Sequence, residues 1–72
     1  MTNTKMLRDI IRRKGVKYCH IANELGITPY SLQKKIDGIT DFKGQEIAKI
    51  SKLLQLNTEE MNGIFFALFV AK

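Results

Sequence analysis

Tyr30, Gln33 and Lys34 fall three and four residues apart, the spacing of one helix face. Their groups can read a base edge or anchor a protein. Gln pairs with adenine and Lys with guanine, and Tyr is a frequent interface hot spot. Pro29 stands just before them and has no N–H with which to read a base. Lys17 and Lys43 are candidates for phosphate contacts, joined by Thr28. A plain solvated helix face carries the same residue types. Catalysis finds no comparable set. Cys19 and His20 are the only Cys and His, and neighbours along one helix turn do not face each other. Nor is there another nucleophile–base or carboxylate constellation, so no enzyme and no cofactor are expected. One Cys and one His cannot supply a four-ligand zinc site.

The charge points the same way as the polar face. The chain carries 12 Lys/Arg against 7 Asp/Glu, a net charge of +5. Residues 1–43 hold nine of those cations against four anions, and the remainder is balanced. A basic face favours a polyanion such as DNA, RNA or an acidic protein surface; the same excess also simply keeps a small protein soluble. A lone Cys excludes an internal disulfide framework and suits the reducing cytoplasm. The opening Met1–Thr2–Asn3–Thr4–Lys5 does not read as a signal peptide. The longest apolar run, Ile64 to Ala71, is too short to span a bilayer, so no membrane is expected. At 72 residues a single domain over 1–72 is expected, burying roughly 60% of its unfolded surface.

Five helices must position these residues. Leu7, Ile10 and Ile11 recur at helical spacing and Gly15 follows Lys14, which predicts a first helix over about 4–14. Ile21, Ala22 and Leu25 predict a second over about 18–25, ending at Gly26. Thr28–Pro29 is a start signal, a capping hydroxyl before a residue that lacks only an N–H unpaired at that position anyway. Leu32 and Ile36 carry that third helix to Gly38. Ile47, Ile50, Leu53 and Leu54 give a fourth over about 44–54. Asn57–Thr58–Glu59–Glu60 resembles a capping box and opens a fifth over about 58–66.

Only Gly26–Ile27–Thr28 separates the second and third helices. So short a connection forces a sharp crossing, with small Ala22 where the two approach. Residues 18–37 thus carry a helix-turn-helix pattern, whose second helix can enter a major groove end-on. An ordinary helical hairpin has similar features. The tail over 64–70 is too apolar for a surface helix. Part of it is expected to complete the core, and the rest to cover a partner, such as a second subunit in a homodimer. Its β-branched and aromatic content also allows a short edge strand.

Ile21–Ala22–Asn23–Glu24–Leu25–Gly26–Ile27–Thr28 resembles the heart of the Cro/repressor-type (XRE) helix-turn-helix family. Tyr30 through Gly38 is similar to that family's recognition helix and its exit. The stretches Phe42 to Leu54, Glu59–Glu60–Met61 and Ile64–Phe65–Phe66 look like its small phage members from Gram-positive hosts, so the likeness covers about residues 5–66. The resemblance implies an all-α, five-helix lambda-repressor-like DNA-binding domain. It further implies a Cro-like regulator of a temperate phage's lysis–lysogeny switch, acting with or against the lysogenic repressor. Its partners would be operator DNA, the DNA-binding domain of the phage repressor, or both. The alternative is a stand-alone repressor of a host or mobile-element operon. Tyr18 matches the family's phosphate-contacting position. Two departures stand out. Lys35 occupies a position three after Leu32 that is usually apolar, with Ile36 one later, so the end of the third helix is expected to be rotated. Pro29–Tyr30 stand where DNA readers often carry Gln, Glu or Ser, which favours a protein anchor; Gln33–Lys34 favour bases.

Overall fold

Helices begin and end in this chain where local chemistry dictates, and five of them account for the fold. A computed structural model describes residues 2–69, and side chains over 2–65. The described part is all-α: α1 (Thr4–Lys14), α2 (Tyr18–Leu25), α3 (Pro29–Ile36), α4 (Gly44–Leu54) and α5 (Thr58–Phe69). Asn3 caps α1, its side-chain oxygen accepting from the Met6 N–H at 3.1 Å. Gly26 adopts φ 73°, so α2 closes with the Gly26 N–H on the Asn23 carbonyl and the Ile27 N–H on that of Ala22. Thr28 caps α3, accepting from the Ser31 N–H at 3.1 Å, with Pro29 in the first turn. Asn57 and Glu60 form the reciprocal capping box of α5, at 2.7 and 3.0 Å.

The apolar stripes of all five helices meet in one core. Leu7, Ile10, Ile21, Leu32, Ile36, Ile50 and Ile64 are wholly buried. α2 packs on α3 and α4, and α1 packs on α3, α4 and α5. Ala22 is buried, as its small size predicts. Phe42, from the α3–α4 loop, meets Phe65 edge to face, with centroids 5.6 Å apart and planes at 82°.

α5 differs from the sequence expectation. It continues to Phe69, so the edge-strand alternative for 64–69 is overturned. Phe65 breaks the regular dihedrals at φ −115°, ψ 33°. The Ile64 carbonyl accepts from the Asn3 N–H at 2.7 Å, which pins the start of the chain to the break. α1 comes close to Gly63 there, where a Cβ would meet the end of the Met6 side chain, Sδ and Cε, at 2.8 Å. Ile64 and Phe65 complete the core as expected. The partner-covering surface expected of the rest of the tail, 66–70, lies outside the described side chains.

Candidate functional site

The candidate site is built on α3. Leu32 and Ile36 turn one side of this helix into the core, which leaves Tyr30, Gln33 and Asp37 exposed along the other, with Lys34 half-buried beside them. Tyr30 is 73% exposed. The Lys34 ammonium stands 5.3 Å from the centre of its ring, close enough for a cation–π contact one turn along the helix. Pro29 is exposed at the tip of the helix. Ile39, just past α3, is the other large exposed apolar side chain among the described residues, at 68%. The chain folds back here: the Ile39 N–H donates to the Lys34 carbonyl at 2.9 Å.

Three side chains singled out from the sequence already have intramolecular partners. The Thr28 hydroxyl accepts the capping N–H and donates to Ser31 Oγ at 3.1 Å, so its donor is occupied. Tyr18 is half-buried and packs on the core, leaving only part of its ring to a ligand. Gln33 Nε2 donates to Asp37 Oδ1 at 3.1 Å. Lys17 and Lys43 are exposed where α2 and α4 begin. Cys19 and His20 are both exposed.

Sequence reading did not find the two charge pairs that frame this face. Arg8 of α1 forms an ion pair with Asp37 at the end of α3. The hydrogen bonds from Arg8 and Gln33 hold the Asp37 carboxyl below its ordinary pKa. The Gln33–Asp37 spacing of four was a signal in the sequence; the Arg8 link, 29 residues away, was not. Lys35 reaches Glu46 Oε1 at 3.1 Å and donates to the Asp41 carbonyl at 2.9 Å, with its ammonium 6.0 Å from the Phe42 ring centre. An apolar residue is expected at this position of the resembling family; the carboxylate of the largely buried Glu46 explains the lysine. Burial pushes the Glu46 carboxyl up, but the Lys43 N–H at 2.8 Å and the Lys35 ammonium more than reverse this, so its pKa lies below the ordinary value.

These pairs decide where the free charge lies. Lys5 pairs with Asp9 at 3.5 Å, so three of the nine cations in residues 1–43 are matched. Arg12, Arg13, Lys14, Lys17, Lys34 and Lys43 have no carboxylate partner among the described residues. No known protein family, curated protein or solved structure matches the chain. Among the described residues no group of three or more His, Cys, Asp and Glu side chains is arranged to hold a metal ion. Among them, too, no helix is long and apolar enough to cross a membrane.

Proposed function

We propose that the chain is a DNA-binding transcriptional regulator in which α2 and α3 form a helix-turn-helix of the lambda-repressor-like kind. The observation that carries this reading is the α3 face of exposed Tyr30 and Gln33 and half-buried Lys34, on a domain whose first 43 residues hold six cations without carboxylate partners among the described residues. In this reading α3 enters the major groove by its N-terminal end. Gln33 and Lys34 then meet base edges, while Lys17, Lys43 and the open part of Tyr18 meet phosphates. The Cro/repressor resemblance adds the setting, a phage switch in which the protein works with or against a lysogenic repressor in the host cytoplasm. A second copy, joined through the apolar segment after Phe65, would present two recognition helices to two half-sites.

Salt dependence tests the DNA reading. Each phosphate neutralised releases counterions, so log affinity is expected to fall with log salt at about −0.9 per contact. Lys43→Ala reduces that slope by about one and weakens all sequences alike, whereas Lys34→Ala relaxes base preference at one position. Fluorescence anisotropy against duplexes over a salt series measures both. Binding indifferent to salt removes Lys17 and Lys43 from the interface.

A protein partner is the second reading, favoured by Tyr30 and Ile39, the large apolar side chains left exposed near the two ends of α3. Its partner is the DNA-binding domain of a repressor, captured by an antirepressor surface. The basic face steers it towards acidic groups, and Tyr30 is a rigid anchor. Tyr30→Ala is expected to cost about 2 kcal/mol or more of that binding, roughly a thirtyfold loss of affinity. Titration calorimetry with the purified repressor domain checks it, and equal affinity for both variants moves the interface elsewhere. DNA binding without any response to a repressor leaves a stand-alone operon repressor.

A further inference from the structure

We infer that Asp37 makes Gln33 a reader of adenine in preference to guanine; this rests on the proposed DNA-binding role of α3. The Asp37 carboxylate only accepts hydrogen bonds, so the nitrogen of the Gln33 amide must face it, as the 3.1 Å Nε2–Oδ1 contact has it. A free glutamine amide has two N–H donors and one carbonyl, and it can turn over to exchange the two ends. Held by Asp37, Gln33 keeps one N–H and its carbonyl for a ligand. Adenine presents one acceptor, N7, and one donor, the N6 amine, in the major groove, which is the complement. Guanine presents two acceptors, N7 and O6, so the remaining Gln33 carbonyl opposes O6.

Arg8 makes this arrangement durable. Its guanidinium pairs with the same carboxylate oxygen, joining α1 to the end of α3 and balancing a negative charge that lies on the exposed face. Asp37 is therefore a positioning residue. It acts on base choice through Gln33 and needs no contact with DNA.

The test uses the full chain. Duplexes are selected from a randomised pool, and the position at which Gln33→Ala loses its preference is located. Wild type is expected to favour A over G there by roughly five- to 150-fold, the worth of one bidentate contact. Asp37→Ala, which frees the amide to turn over, is expected to lower that ratio at least threefold without abolishing it, and adding it to Gln33→Ala changes the ratio no further. Arg8→Ala breaks the link to α1 but leaves the Gln33–Asp37 pair, so it keeps most of the preference. Thermal melts establish that each variant is folded, and Asp37→Ser serves in place of an unfolded alanine variant. An Asp37→Ala ratio equal to that of wild type overturns the inference, as does Arg8→Ala lowering the ratio equally, which would make the effect structural. Selection that succeeds while Gln33→Ala alters no position overturns this inference and leaves the DNA reading standing. Selection that yields no duplex overturns both.

Discussion

Leu32→Ala is expected to destabilise the domain by about 2–5 kcal/mol, the range for truncating a buried leucine to alanine. Leu32 is wholly buried, on the side of α3 that faces α1 and α2. A chain of this size has about 4–11 kcal/mol in total, so the variant loses a large share of it. Each kcal/mol shifts the midpoint by about 4–8 °C in a small domain, which puts the expected fall at about 8–40 °C. Tyr30→Ala, two residues away but 73% exposed, should stay within about 0.5 kcal/mol of wild type. Thermal melts followed by circular dichroism compare the two. If Leu32→Ala melts with wild type, α3 does not hold the core together as described.

Lys35→Met has the second large effect. It preserves the aliphatic stem but removes the ammonium that serves both Glu46 and the Asp41 carbonyl. Glu46 then keeps its charge in a largely buried position with the Lys43 N–H as its remaining hydrogen-bond donor. Breaking a fully buried pair costs about 3–5 kcal/mol; for this one, open at its edge, about 2–4 kcal/mol is expected. Adding Glu46→Gln removes the stranded charge while leaving an oxygen for the Lys43 N–H. The double variant is therefore expected to recover to within about 1 kcal/mol of wild type. Urea denaturation measures all three, and a double variant no better than Lys35→Met alone means that charge was not the cause.

The same pair fixes a pH dependence. Glu46 has its folded pKa below its ordinary unfolded value. Its contribution is complete above that value and is lost as pH falls through the folded pKa. Glu46→Gln should remove that part of the acid limb. Asp37, lowered in the same direction, acts alike, though more weakly because it is exposed.

The helices themselves were legible because their ends are decided within a few residues. Gly15, Gly26 and Gly38, all at positive φ, close α1, α2 and α3 where their spacing predicts. Thr28–Pro29 and Asn57–Glu60 open α3 and α5 through bonds no longer than one turn. The row of Tyr30, Gln33 and Lys34 away from the core followed from the same period, because Leu32 and Ile36 can face the core together only if those three do not. What these side chains touch did not follow. Lys35 finds Glu46 across 11 residues and Arg8 finds Asp37 across 29, and both pairs depend on where the closed core sets α1 and α4 relative to the end of α3. Tyr18 sinks half into the core for the same reason, and the break at Phe65 is held by the Asn3 N–H from the other end of the chain. Capping bonds and apolar periodicity are local, so a linear sequence carries them. Ion pairs between helices depend on crossing geometry and depth of burial, which exist only once the core has closed.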